Sequence, residues 1–254
     1  MFNLFIRIKL SPVFFPLIFV LIHSFYEYSS PGGNTISAAE LTCGLIVSLS
    51  RHVAQACASL KGGVWDRKSF TGNELYGKTL AVIGLGRIGR EVANRMRAFG
   101  MKTIGYDPIM SPEAAKSFGV DFYPLDQLYP LADYITVHVP LLPETKNMIN
   151  DKTISQCKKG VRLVNVARGG IMDENAVLAG IVTGQVAGAA FDVYEEEPPK
   201  NSSLLQNPKV LCTPHLGAST KEAQVRVAEE VAQQFLELKE GKKVHGAVNP
   251  SVLK

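Results

Sequence analysis

Six short apolar runs recur between Thr79 and His215, most of them followed by a helical stretch. They are TLAVIG (Thr79–Gly84), KTIGYD (Lys102–Asp107), YITVHVP (Tyr134–Pro140), VRLVNVA (Val161–Ala167), VAGAAFDV (Val186–Val193) and KVLCTPH (Lys209–His215). Most are apolar at successive rather than alternate positions, so both faces need cover, as in buried parallel strands. Gly89–Phe99, Leu125–Leu131, Asp151–Cys157 and Asp173–Thr183 read as the intervening helices. Repeated βα units predict an α/β domain: a doubly wound parallel sheet with flanking helices and right-handed crossovers. At 254 residues and 46% hydrophobic content the chain can bury a substantial core. Its 20% charged and 8% aromatic residues exclude a disordered or collagen-like chain. A net charge of +4 is too small to point to nucleic acid by itself. Cys43, Cys57, Cys157 and Cys212 are far apart with no CxxC, which argues against a zinc knuckle or a disulfide framework. They read as reduced thiols of a cytoplasmic protein, and no metal site is expected.

The flanks differ from this middle. In residues 1–31, Arg7 and Lys9 precede an apolar run from Leu10 to Ile22, the order of charges and apolar residues in a secretory signal. The run is shorter than the ~20 residues of a membrane span. Pro12 and Pro16 interrupt it, and no small-x-small cleavage site follows. A signal or membrane anchor, a buried segment, and an alternative start or gene-model error all fit it. Ser30–Asn34 is a turn-rich break. Ser37 and Glu40 form S-x-x-E, which predicts a capped helix over Ser37–Ser59, with apolar residues at Leu41, Leu45, Leu49 and Val53, that stops at Gly62-Gly63. The organisation expected is a separate segment at 1–31, a helix and linker at 32–70, a nucleotide-binding domain at 71–218, and a tail at 219–254 with a helix from Thr220 to Gly241.

Gly84-Leu85-Gly86-Arg87-Ile88-Gly89 follows the first predicted strand and opens a predicted helix, matching G-x-G-x-x-G. Gly84 permits a tight turn, Gly86 lets backbone approach a pyrophosphate, and Gly89 lets helix and strand pack closely. The helix N-terminus adds N–H groups and a positive dipole end. Asp107 ends the next predicted strand, 18 residues after Gly89. An acid there binds ribose hydroxyls and repels a 2′-phosphate, so the cofactor expected is NAD rather than NADP.

Arg168, Glu197 and His215 stand at the ends of three later strands, where open α/β sheets bind ligands. Arg can hold a carboxylate bidentately and polarise a carbonyl. His can exchange a proton with an alcohol oxygen, and a carboxylate beside it fixes its tautomer. Together they suit interconversion of a 2-hydroxy acid and a 2-oxo acid. Arg168 could instead be an ion-pair partner and His215 a turn residue. From spacing alone, Glu197 is not separable from Glu195 and Glu196 in what could be a solvated charge run. His138, inside a strand, reads as a packed histidine.

IGLGRIG, YDP, HVPLLPET, VNVARGGIMDE, GAAFDVYEEEPP and TPHLGAST together resemble the NAD-dependent D-isomer-specific 2-hydroxyacid dehydrogenases. SAAELTCGLI, CKKGVRLVN and PHLGASTKEAQ look like an animal form whose substrate carries a phosphate. The resemblance covers about Asn34 to Asn249 and implies a Rossmann NAD-binding domain. It implies a catalytic Arg168, Glu197 and His215, since the family's Glu directly precedes a Pro pair. Implied cofactor contacts are Gly84, Gly86, Arg87, Ile88, Gly89, Asp107, Val139, Pro140, Val166, Ala167, Arg168, Asp192, His215, Leu216, Gly217 and Ala218. It also implies a homodimer through the 37–59 helix. Family members begin with most of a substrate domain, and the animal form continues into C-terminal domains. Neither is expected here, which leaves two readings: a working oxidoreductase, or a catalytically impaired NAD(H)-binding interaction protein.

Overall fold

The computed structural model describes residues 6–7, 27–28 and 32–240. The run Leu10–Ile22 and the sequence after residue 240, His245 included, lie outside the described residues. The chain divides into a unit of residues 35–217 and a second unit of residues 2–34 with 218–254. In the second, β1 (Ile6–Arg7) and β2 (Glu27–Tyr28) form an antiparallel pair.

The 35–217 unit begins with α1 (Thr35–Arg51) and α2 (Val53–Lys61), not with one helix. Thr35 starts α1 two residues ahead of the expected cap, and Ser37 is a buried residue inside it, so Ser37 and Glu40 are not a capping box. The break falls at His52, whose backbone is left-handed (φ 53°). Its cause is the crossing linker: the Ser50 carbonyl accepts from the Asn73 N–H (3.0 Å) and the Ser50 hydroxyl donates to the Asn73 carbonyl (2.6 Å). The carbonyl at the end of α1 is thereby engaged outside the helix. Gly62 caps α2 and Gly63 takes a positive φ of 83°, the predicted glycine stop.

Next come β3 (Thr79–Ile83), α3 (Arg87–Ala98), β4 (Lys102–Tyr106), α4 (Pro112–Ser117), β5 (Asp121–Phe122) and α5 (Leu125–Leu128) with a 3₁₀ turn at Tyr129–Leu131. They are followed by β6 (Tyr134–Val137), α6 (Asp151–Gln156), β7 (Val161–Asn165), α7 (Glu174–Thr183), β8 (Val186–Phe191), α8 (Ser202–Leu205) and β9 (Val210–Cys212). β3 to β9 form one parallel sheet in the order β5-β4-β3-β6-β7-β8-β9. All six predicted strands are present, each shorter at its carboxyl end because those residues turn away to build loops. α4, β5 and α8, too short to carry a periodic signal, are additions to the sequence reading.

Local chemistry explains the helix ends. Asp173 caps α7 by accepting from the Asn175 and Ala176 N–H groups, and Gly184 closes it at φ 76°. Asn150 and Thr153 form a reciprocal capping box on α6. Ile83, Ile135, Val137, Leu163 and Phe191 are buried in the sheet core. α1 packs on α3 and over β7 and β8, close enough that a Cβ on Gly188 would meet Leu49 Cδ1 at 3.0 Å. The strand order reverses between β3 and β6, since the chain adds strands outward to β5 on one side and then from β6 to β9 on the other, so the turns after β3 and β6 flank the switch point of the sheet.

In the second unit, α9 (Lys221–Lys239) starts where Thr220 Oγ1 accepts from the Ala223 N–H (3.1 Å), and Arg226 Nε donates to the Gly33 carbonyl (2.9 Å). Among the described residues, no helix is long and apolar enough to cross a membrane.

Candidate active site

The glycine loop crosses the switch point. Gly84 has φ 95°, a conformation side chains rarely adopt. A Cβ on it would also meet the His138 carbonyl oxygen at 2.5 Å, on the loop after β6. Gly89 lies against the Gly84 carbonyl, where no Cβ fits. Gly86 caps α3, and a Cβ there would meet nothing within 4 Å. Two of the three glycines are thus required by the fold, while the third opens a cradle at a helix N-terminus. Arg87 and Ile88 are its first residues, with N–H groups that have no partner within the helix itself.

Asp107 follows β4 beside this cradle and is 9% exposed. Its Oδ2 accepts from the Leu85 N–H (2.8 Å) and its Oδ1 from the Ile109 N–H (3.0 Å). The carboxylate therefore fixes the glycine loop, and each oxygen keeps further acceptor capacity. The open cradle, the helix N-terminus and the fixed acid fit a dinucleotide.

Val139 and Pro140 follow β6. Val139 is buried and Pro140 exposed. His138 is packed, as expected: its Nε2 lies 3.0 Å from Thr136 Oγ1, and burial pushes its pKa down to about 3.

Val166, Ala167 and Arg168 follow β7. Asn165 shapes this turn, its side chain accepting from the Ala167 N–H (3.0 Å) and donating to the Arg168 carbonyl (2.8 Å). Val166 is 1% exposed, so only its backbone can face a ligand. The Arg168 guanidinium donates to the Ala167 carbonyl (2.8 Å). Burial lowers its pKa, while the nearby Glu197 charge opposes that shift.

His215 Nδ1 stands 2.6 Å from Glu197 Oε2. These side chains keep 36% and 38% of their surface accessible, so the pair faces solvent on one side. Glu197 Oε1 accepts from the Tyr194 N–H (3.1 Å). All three glutamates are exposed, but Glu196 pairs with Lys200 whereas Glu197 pairs with His215. The geometry thus separates Glu197 from its two neighbours.

His215 has φ 56°, a left-handed backbone costing about 1–3 kcal/mol. Asp192, fully buried, holds it there. Its carbonyl accepts from the His215 N–H (2.9 Å). Its carboxylate accepts from the Leu216 N–H (2.8 Å), the Gly217 N–H (2.9 Å) and the Thr213 hydroxyl (2.6 Å). Ala218 begins the second unit, where its carbonyl accepts from the Thr220 N–H (3.0 Å).

All the expected site residues from Gly84 to Gly217 lie beyond the carboxyl ends of neighbouring strands of one sheet. Residues unassigned from sequence hold them in place: Asn165, Gly169, Glu174, Tyr194 and Thr213. The Tyr194 hydroxyl, for instance, ties the ends of β8 and β9 by donating to the Phe191 (3.2 Å) and Thr213 (2.9 Å) carbonyls. The Gly169-Gly170 pair was one visible signal of them, and a polar Asn165 closing an apolar strand was another.

Comparison with known proteins agrees with this geometry. Residues 43–217 match the family described as D-isomer specific 2-hydroxyacid dehydrogenase, NAD binding domain. The chain is 60% identical over 225 residues to a D-3-phosphoglycerate dehydrogenase of Rattus norvegicus, covering 89% of this chain and 42% of the relative. It is 51% identical over 227 residues to one from Bacillus subtilis, covering 89% of this chain and 43% of the relative. The chain therefore spans less than half the length of these relatives. Among solved structures, a glyoxylate reductase from Paecilomyes thermophila superimposes with a TM-score of 0.82 at 32% identity, over 88% of this chain and 68% of that one. A D-lactate dehydrogenase with NAD+ from Lactobacillus jensenii gives 0.78 at 28% identity, over 87% of this chain and 71% of that one. The chain belongs to the D-isomer specific 2-hydroxyacid dehydrogenase family, and residues 43–217 are its NAD binding domain.

Proposed function

We propose that this chain is an NAD-dependent oxidoreductase of the D-3-phosphoglycerate dehydrogenase type, interconverting 3-phosphoglycerate and 3-phosphohydroxypyruvate in serine biosynthesis. The observation that carries this reading is the His215–Glu197 pair beside Arg168, on the same sheet edge as the glycine loop. The substrate class follows from the names of the relatives.

Gly84, Gly86 and Gly89, with the N–H groups of Arg87 and Ile88, would hold the pyrophosphate of NAD, and Asp107 its adenosine ribose. Val139, Pro140, the backbone of Val166, Ala167, Asp192, Leu216 and Gly217 would line the rest of the cofactor. The nicotinamide, when bound, supplies or accepts a hydride at C2 of the acid. Arg168 binds the substrate carboxylate and polarises the C2 carbonyl. In reduction, His215 gives a proton from Nε2 to the oxygen on C2; in oxidation it takes that proton back. Glu197, on the Nδ1 side, fixes the ring's tautomer and faces the positive charge of the imidazolium.

The partner proposed besides substrate is a second copy of the chain, through the 37–59 segment. α2 has no buried residue, and Val53, Leu60, Val64 and Trp65 are exposed on it and just after it. The compartment proposed is the cytoplasm. Purified chain supplied with NADH and either 3-phosphohydroxypyruvate, glyoxylate or pyruvate tests the reading. Turnover highest with 3-phosphohydroxypyruvate is expected. Tight NADH binding without turnover on any of the three would assign an NAD(H)-binding interaction protein instead.

A further inference from the structure

Glu174 is a buried carboxylate, 5% exposed, that the proposed chemistry does not use. It is the first residue of α7, six positions after Arg168 along the chain. Its Oε1 accepts from the Glu195 N–H (2.9 Å) and its Oε2 from Asn201 Nδ2 (3.2 Å). One carboxylate therefore fastens both ends of the segment 195–201, and Glu197 sits inside that segment. Asn201 also caps α8 through the Leu204 N–H (3.2 Å), so the far anchor is itself fixed. Between the anchors the chain carries Pro198 and Pro199, which have no N–H and cannot tie the segment down by backbone donation. A buried carboxylate is retained only when hydrogen-bonded, and here both oxygens are.

We infer that Glu174 is a positioning residue for the Glu197–His215 pair: it clamps the 195–201 segment to the start of α7, and so to the segment carrying Arg168. Its hydrogen bonds go to Glu195 and Asn201 rather than to a proposed catalytic side chain, so it acts through the segment that carries Glu197. The inference deepens the proposed function and rests on it for its catalytic consequence, but the positioning itself can be read without turnover.

The readout is the proton NMR signal of the His215 Nδ1–H, moved downfield by its bond to a carboxylate and assigned by its loss in Glu197→Ala. Glu174→Ala is expected to broaden or abolish this signal while NADH affinity is kept. Glu174→Gln, which keeps an acceptor for the Glu195 N–H, is expected to restore it. Where the wild-type chain turns over, Glu174→Ala should lower kcat by roughly ten- to a hundredfold, as a displaced catalytic group does. An undisturbed signal in Glu174→Ala, with only a lower Tm, would overturn the inference by reducing Glu174 to a structural role. If Glu174→Ala does not fold, Asn201→Ala removes one anchor at the partly exposed end; a broadened signal supports the clamp and an unchanged one refutes it. Loss of the signal in a wild-type background without turnover would leave the clamp standing and sink the oxidoreductase reading alone.

Discussion

Gly169 and Tyr194 meet backbone to backbone: a Cβ on Gly169 would lie inside the van der Waals surface of the Tyr194 carbonyl oxygen. This contact seats the turn that carries Arg168 directly under the segment that carries Glu197. Glycine is required here by close approach, and no flexible side chain can give way. Gly169→Ala is expected to cost about 3 kcal/mol or more, at the top of the usual range for overpacking, because backbone must move. Urea denaturation checks it, and unchanged stability would show that the two segments are not in contact.

The glycines of the 84–89 loop should separate into two kinds. Gly89→Ala is expected to destabilise the fold, since its Cβ would strike the Gly84 carbonyl. Gly86→Ala should leave the melting temperature nearly unchanged, because its Cβ points into open space. It should still weaken NADH binding by about tenfold or more, roughly 1.4 kcal/mol, by filling the place of the phosphates. Titration of NADH fluorescence alongside thermal melts distinguishes the two. Equal affinity in Gly86→Ala and wild type would remove the pyrophosphate from this loop.

Asp107 should set the choice of cofactor. Asp107→Ser removes the negative charge while retaining a short hydroxyl. The ratio of NADPH to NADH affinity is expected to rise, because a 2′-phosphate no longer meets a carboxylate. Binding constants for both nucleotides test this, and an unchanged ratio would contradict it.

His138 should shape the acid side of the stability curve. Burial depresses its pKa from 6.5 to about 3 in the folded chain. Between these values the unfolded chain binds a proton that the folded chain does not, so stability is complete above pH 6.5 and falls as pH drops toward 3. The slope from this one group is at most about 1.4 kcal/mol per pH unit. His138→Gln is expected to flatten the wild-type decline in denaturation midpoints across that window. Parallel curves for the two proteins would assign the decline to other groups.

The strands were legible because burial on both faces leaves an uninterrupted apolar run, as in TLAVIG and VRLVNVA. The glycine loop was legible because its spacing meets a geometric need at Gly84 and Gly89. The end of α1 was not, because the Ser50–Asn73 bonds that interrupt the helix join residues 23 apart. Glu197 was singled out by resemblance, since three consecutive glutamates carry no local signal; the pairing with His215 comes only from folding β8 beside β9. Glu174 was invisible for a related reason: next to the capping Asp173 it reads as an ordinary first-turn acid, and its two partners lie 21 and 27 residues onward.

The most direct measurement compares NADH oxidation and NADH binding in wild-type chain and His215→Ala, on the same purified samples, with 3-phosphohydroxypyruvate. Turnover in the wild type that is abolished in His215→Ala, with NADH affinity retained in both, is the expected result. Turnover that survives in His215→Ala, or affinity lost together with turnover, would contradict the role given to His215 and with it the proposed mechanism.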